Sequence, residues 1–415
     1  MLLSKETTIP ISDEYSNIIS HMSYAAYKLW NVCNYERRNY KSLGLDKFPD
    51  WYYQKKCHKE NTWFKSLPSQ TAQEVCKVLD KSWKSYFSLL KSKGIEHPKP
   101  PRFKQTGIAI TYMQNAIKRM DETTLRLTLS KGLKAHMADT YGVHENYLYL
   151  KNNIFKGMET VKQLQIYPPK DNVVRVIAVY EVPDVAFLPD NGKYLSIDLG
   201  VKNPFTCYDS EKGTSFIVGR NYKAICYKYD KRIAHYQSIS ELQQAAKGIP
   251  YPKPSKRVLM LYEKKRHCLN DYFHKCTRYI VSYCKEHDIH TVVIGDITNI
   301  RKDKDLGDTN NQTFHALPYK KIYGMLQYKL AMEGIRLVKI KESYSSQCSP
   351  LSEKVHKSQA VKSNRKYRGL YFESTDIWNA DSVGAFNILR LYFTKENKVV
   401  NFTPRYLSNP LKVAV

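Results

Sequence analysis

A multidomain α/β protein is predicted, with its main sheet in the C-terminal half and a helical segment interrupting a smaller β region before it. Three observations carry this. Helical spacing dominates residues 12–95, and a period of two follows in residues 105–185. Beyond Asn191, short apolar strands alternate with long helical stretches. A chain of 415 residues also exceeds what one ordinary core organises, so two or three domains are expected.

Residues 1–11 read as a short strand. From Ser12, the residues Ile18, Ile19, Met22, Ala26, Leu29, Trp30 and Cys33 recur at three- and four-residue spacing, which predicts a helix. A second helix carries Val75, Leu79, Trp83, Tyr86 and Leu90 on one stripe, with Gly94 placed to stop it. HPKPPRFK (97–104) breaks all periodicity; its three prolines among basic residues make a stiff connector and a domain edge. Leu125, Leu127 and Leu129 then alternate with polar residues, and QLQIY and VVRVIAVYEV flank the turn PPKDN (168–172) as a hairpin. Residues 105–185 are thus expected to form a small β domain. The first strand can belong to it, with the helices inserted between its parts.

KYLSIDLG, PFTCYDS and SFIVGR read as three strands, the last two joined by a tight EKG turn. A basic helical stretch follows from about Asn221 to Glu286, interrupted by KGIPYPKPS (247–255). Next come the strand TVVIGD, a helix over 318–333, the strand IRLVKIKE (335–342) and a last helix beginning near Asp381. An antiparallel trio followed by parallel strands connected through helices is the order of an RNase-H-like sheet, because right-handed crossovers leave few other closures.

Lys and Arg exceed Asp and Glu to give a net charge of +27, spread over the whole chain. Such an excess points to a polyanionic partner, with nucleic acid the default and a basic surface without a partner the alternative. With 42% hydrophobic and 13% aromatic residues, global disorder is excluded. No apolar run follows the first Met and no apolar stretch approaches about 18 residues, so neither a signal peptide nor a membrane span is expected. Nine scattered cysteines without a CxxC pair read as reduced thiols, and a cytoplasmic, nucleoid-associated location is expected.

Three carboxylates stand out. Asp198 lies inside the first strand of the trio, on the face of Tyr194 and Ser196, where a charge is costly unless a cation or hydrogen bonds compensate it. Its alternative role is to cap the Gly200 turn. Asp381 opens DSVGAFNILRLYF, with Gly384, Ala385 and Ile388 on its face, and can equally be an ordinary N-cap. Glu342 ends the strand 335–342, where open α/β sheets place their chemistry, or is a solvated residue after Lys341. Together the three would hold two divalent ions about 4 Å apart, and oxygen-only ligation selects Mg²⁺ or Mn²⁺. A phosphodiester substrate reconciles such acids with a basic chain.

SIDLGVKNPFT (196–206), VVIGDITNIR (292–301) and NADSVGAFNIL (379–389) resemble, in order and spacing, the three RuvC motifs of TnpB. TnpB is a transposon-encoded RNA-guided nuclease related to miniature type V CRISPR effectors. HPKPPRFK resembles the family's return to its β domain, while YSSQCSP (344–350) and SNRKYRGLY (363–371) resemble the insertion between the last two RuvC motifs. The likeness is strong over about 190–390 and weak before it. It implies a β-barrel-like wedge domain (1–11 and 97–188) interrupted by an α-helical recognition domain (12–96). A RuvC nuclease domain (189–342 and 379–415) follows, with an inserted nucleic-acid-binding loop (343–378). It further implies a guide RNA, transposon-end-derived or CRISPR, and a double-stranded DNA target with an adjacent motif. The expected state is a monomer with RNA.

Two departures from the family pattern matter. Paired CxxC zinc ligands in the insertion are reduced to Cys348-Ser-Pro-Leu351, and between 343 and 380 only Cys348 and His356 could serve. A tetrahedral site needs four ligands, so no structural zinc is expected. Packing of Tyr367, Leu370, Tyr371 and Phe372 is expected to hold the loop instead. The usual second motif carries Glu where this chain has Gly295. Some of the family, eukaryotic relatives included, use a glutamate after the next strand, and KESYSSQC puts Glu342 there. The expected catalytic and metal-binding acids are therefore Asp198, Glu342 and Asp381, with Asp296 in reserve and pointing to the other face of its strand.

KKIYGMLQYK, YEKKRH and SNRKYR mix cations with tyrosines that can stack on bases, although most of the 33 Tyr read as packing residues. Lys99, Arg102 and Lys104 around the connector, and Lys202, Arg301, Arg365 and Arg368 in the later motifs, are the expected nucleic-acid contacts. The function expected is RNA-guided double-stranded DNA cleavage. The alternatives are a nuclease-inactive guided repressor, a compact type V effector, and an RNA-independent junction-resolving nuclease.

Overall fold

The computed structural model describes residues 1–92, 96–297, 317–365, 367–373, 376–398 and 406–415. The chain divides into two units, Met1–Pro183 and Asp184–Val415.

In the first unit, β1 (Leu2–Pro10) runs antiparallel to β7 (Val173–Glu181), from Leu2 opposite Glu181 to Pro10 opposite Val173. With β2 (Ile110–Met113) and β6 (Thr160–Ile166) they form a sheet of order β1-β7-β6-β2. A second sheet has the order β3-β4-β5, from Ile117–Arg119, Thr124–Thr128 and Tyr147–Lys151. Between β1 and β2 lie α1 (Asp13–Arg38), α2 (Trp51–Cys57), α3 (Thr62–Lys65) and α4 (Ser69–Ser92). Ser12 caps α1 by accepting from the Tyr15 N–H, and the whole expected stripe of α1 is buried. On α4 the stripe holds through Val75, Leu79 and Trp83, whereas Leu90 is exposed near the helix end.

The segment 105–185 is not β alone. A helix, α5 (Lys131–Tyr141), sits between β4 and β5. Ser130 caps its start, Gly142 ends it at φ +63°, and it buries only Leu133 and Met137. The connector is fastened to α1: Trp30 Nε1 donates to the Arg102 carbonyl (3.1 Å) and Asn34 Nδ2 to that of Pro101 (3.0 Å). Asn31 both donates to the Lys104 carbonyl (2.8 Å) and accepts from its N–H (2.7 Å). Prolines cannot donate, so side chains of α1 supply the missing partners. One core joins the helices to both sheets.

In the second unit, β8 (Tyr194–Asp198), β9 (Phe205–Asp209) and β10 (Thr214–Val218) are successively antiparallel. α6 (Tyr222–Ala245) and α7 (Lys256–Glu286) follow as a helical pair joined through Ile233, Val258 and Leu261. β11 (Thr291–Gly295) is parallel to β8, and after α8 (Tyr319–Met332) β12 (Arg336–Ile340) is parallel to β11. β13 (Leu370–Glu373) and β14 (Asp376–Asn379) form a hairpin before α9 (Ala380–Lys395). A strand that the sequence reading missed, β15 (Leu411–Val413), joins β10 in parallel and gives the order β12-β11-β8-β9-β10-β15.

Helices cover both faces of this sheet. Leu195, Ile197, Val292 and Ile294 pack against α7 and α8, while Tyr194, Tyr208 and Val293 pack against α9. Strand 335–342 of the sequence reading ends at Ile340, whose carbonyl accepts the last ladder bond, from the Asp296 N–H at 2.7 Å. Glu342 therefore stands two residues beyond the strand, in a turn where Tyr344 has φ +64°.

Candidate active site

β8, β11 and β12 run parallel, so their carboxyl ends share one edge of the sheet, the edge where open α/β sheets hold ligands. α9 lies across it very closely. Ser196 Oγ donates to the Ala385 carbonyl at 2.6 Å, and a Cβ on Gly384 would stand 2.6 Å from Asp198 Oδ2. Any larger residue at 384 would have to displace the Asp198 carboxylate.

Gly295 ends β11 opposite Ile340. A Cβ built on it would collide with Glu342 Oε2 and come within 2.9 Å of Ile388 Cδ1. The Glu342 carboxylate thus fills the space that a side chain at 295 would occupy. Its Oε2 is buried and has no hydrogen-bond partner among the described residues. An orphaned buried carboxylate oxygen is costly unless something else compensates it.

The ordinary roles left open for Asp198 and Asp381 are not the ones they play here. The Gly200 N–H donates to the Asn203 carbonyl (3.1 Å), so Asp198 does not cap that turn. Asn379 caps α9, its Oδ1 accepting from the N–H groups of Asp381 and Ser382 (both 3.1 Å). The Asp381 carboxylate is left to face the sheet, where Oδ2 accepts from Asn203 Nδ2 at 2.7 Å.

Burial raises the Asp198 carboxyl above its ordinary range, the charge of Asp381 adds to this, and Arg365 opposes it. Burial also raises Glu342, followed by the charges of Asp198 and Asp296. Asp198 is thus the shared neighbour of the other two acids. Among the described residues no three His, Cys, Asp or Glu converge closely enough to hold a metal ion as they stand. The donor chemistry nevertheless fits a hard divalent cation: oxygen ligands only, two carboxylates disfavoured as anions, and one unpartnered buried oxygen.

Asp296 is placed less simply than expected. Its charge acts on Glu342 and on Tyr323, so it lies close to the acids although its neighbour Gly295 is the one they meet. Lys202, Arg365 and Arg368 are exposed in this unit, as are Lys99, Arg102 and Lys104 in the first; Arg301 lies outside the described residues. Sequence reasoning missed Asn203, which reaches Asp381 through a turn rather than a periodic element. It also missed Tyr323, which donates to the Gly295 carbonyl (2.5 Å) and accepts from the Ile297 N–H (3.1 Å), fixing the end of β11.

The insertion is not held by four aromatic or aliphatic side chains. Tyr371 is fully buried, but Tyr367 and Leu370 are 65% and 38% exposed. The hairpin leaves only alternate residues facing inward. Cys348 donates its thiol to the His356 carbonyl at 3.3 Å, and His356 Nδ1 meets Ser358 Oγ at 2.9 Å.

Comparison with known proteins places this architecture. Residues 178–301 match the OrfB_IS605 family, described as a probable transposase, and residues 319–388 match the Cas12f1-like TNB domain. The TnpB-like protein ORF457 of Acidianus two-tailed virus is 22% identical over 408 residues, covering 88% of this chain and 80% of its own. In fold, the chain resembles the protein in a cryo-EM structure of a Cas12f1–sgRNA–target DNA complex, with a TM-score of 0.53 and 14% identity. That match covers 93% of this chain and 98% of the other. Sheet order and flanking helices thus define a mixed α/β fold that resembles Cas12 effectors. The two family matches and the TnpB-like viral relative together support a TnpB-family protein.

Proposed function

We propose that this protein is an RNA-guided double-stranded DNA endonuclease that hydrolyses phosphodiesters with two divalent metal ions. The observation that carries the reading is the Glu342 carboxylate standing in the space vacated at Gly295, with Asp198 as its neighbour. The two family matches, and the fold likeness to a protein solved with a guide RNA and target DNA, support it.

Asp198, Glu342 and Asp381 would hold Mg²⁺ or Mn²⁺. Bound there, the ions would activate water and stabilise the leaving oxygen. Asn203 orients Asp381, and Tyr323 holds the end of β11 so that Gly295 keeps its place under Glu342. The exposed Lys202, Arg365 and Arg368, with Arg301, would bind the DNA backbone near the cut. Lys99, Arg102 and Lys104 would hold guide RNA or the adjacent-motif duplex, on a backbone that α1 keeps fixed. The insertion would fold without zinc, and the working particle would be one chain with one RNA. Purified protein loaded with its RNA should cut a matched duplex in Mg²⁺ and fail in EDTA. RNA-loaded protein that leaves every target uncut would refute the reading.

A second reading is guided DNA binding without cleavage. It is favoured by one observation, that the three acids do not close into a single cluster as they stand. RNA-dependent binding without cutting would support it. Sequencing the RNA that copurifies from the native host would separate a transposon-end guide from a CRISPR guide, and a random RNA population would count against either. Full activity after RNase treatment would point to a junction-resolving nuclease instead.

A further inference from the structure

Glu342 has a placement problem. It stands beyond the last ladder bond of β12, and its turn passes through Tyr344 at φ +64°, a conformation that bulky side chains rarely adopt. A residue there is held only if its turn is held from outside. Within the turn, Ser345 donates to the Glu342 carbonyl from Oγ (3.1 Å) and from its N–H (3.4 Å).

The outside hold comes from α9. Asn387, fully buried, spends both its amide hydrogens on this segment: Nδ2 donates to the Ser345 carbonyl (2.7 Å) and to the Cys348 carbonyl (2.9 Å). Its Oδ1 accepts from Arg390 Nη1 (3.0 Å), which fixes the amide's orientation. Arg390 reaches one turn further, donating to the carbonyls of Ser349 (3.0 Å) and Ser352. Asp381, Gly384 and Asn387 follow at helical spacing along α9. One helix therefore presents Asp381, rests on Asp198 through Gly384, and grips the segment that follows Glu342.

We propose that Asn387 is a positioning residue that sets the Glu342 carboxylate against Asp198 and Asp381. The proposal rests on the metal reading of these acids. A buried Asn inside a helix could instead only stabilise the fold, and the two roles differ in one respect. A positioning role must act through Glu342, so its effect must vanish when Glu342 can no longer serve as a ligand.

The test measures Mn²⁺ affinity of the full-length protein by electron paramagnetic resonance of free Mn²⁺, without any cleavage step. Asn387→Asp keeps the size and the acceptor for Arg390 but removes the double donor. Affinity should fall roughly 10- to 100-fold, the usual effect of losing a group that orients a metal ligand. In a Glu342→Gln background the same change should have no further effect. Ser345→Ala, which removes the hydroxyl bond to Glu342, should follow the same pattern and serves if Asn387→Asp fails to fold. Equal losses in both backgrounds, or unchanged affinity in both, would overturn the positioning role alone. A wild-type chain that binds no Mn²⁺ would overturn the metal reading and the positioning role with it.

Discussion

Gly295 is read most simply as a lost ligand, yet the structure makes it a requirement. A methyl at this position would collide with the end of the Glu342 side chain and would also crowd Ile388 Cδ1 at 2.9 Å, both of them side-chain ends that can shift. Gly295→Ala should therefore leave folding nearly unchanged, with little movement of the thermal midpoint, while displacing the carboxylate. A shift on the order of 1 Å can cost about 10²-fold, so single-turnover cleavage should fall by at least that much. The acids were legible in the sequence because a carboxylate inside an apolar strand, or just past one, has few other uses. Asn203 and Asn387 were not legible. Their roles depend on which carbonyl or carboxylate the fold brings to them, and Asn in a turn or helix has many ordinary reasons to be there.

At the scale of elements, the helical segment contains its own buried charge. Arg37 Nη1 pairs with Asp80 Oδ1 at 3.0 Å, linking α1 to α4, and both side chains are nearly inaccessible. Asp80→Ala strands the guanidinium, which among the described residues keeps Gln54 Oε1 (2.9 Å) and the Phe48 ring but no charge partner, and should destabilise the first unit by about 3–5 kcal/mol in urea unfolding. His21 of α1 and His136 of α5 lie with ring centroids 4.1 Å apart, and burial followed by His136 lowers His21 to about 4. A histidine kept neutral by folding binds fewer protons in the native state. Stability should therefore be full above the unfolded value of about 6.5 and fall progressively as pH drops toward 4. His21→Gln should flatten that slope in thermal melts recorded across the window. The α1 stripe and the strand trio were plain from periodicity because each buries a whole face. The helix α5 hid because it buries only Leu133 and Met137, and β15 because three residues carry no period.

For the whole molecule, the net charge of +27 was the most direct sign of function, and the linear order of the motifs was the most direct sign of family. Guide-RNA affinity should fall steeply and linearly on a log–log plot against salt, as neutralised phosphates release their counterions. Chelation should abolish cutting without unfolding the insertion, and elemental analysis should find no stoichiometric zinc, since a zinc-built insertion would lose its fold with its metal. The central claim is narrower: the acid that Gly295 lacks is supplied by Glu342. Single-turnover cleavage by RNA-loaded protein tests it directly, comparing Glu342→Gln with Asp296→Asn in Mg²⁺. Glu342→Gln should retain fold and RNA binding and lose about 10³-fold or more in rate, equivalent to about 4 kcal/mol of transition-state stabilisation. Asp296→Asn should lose far less. A Gln variant that cuts normally beside a dead Asn variant would contradict the account and return the role to Asp296.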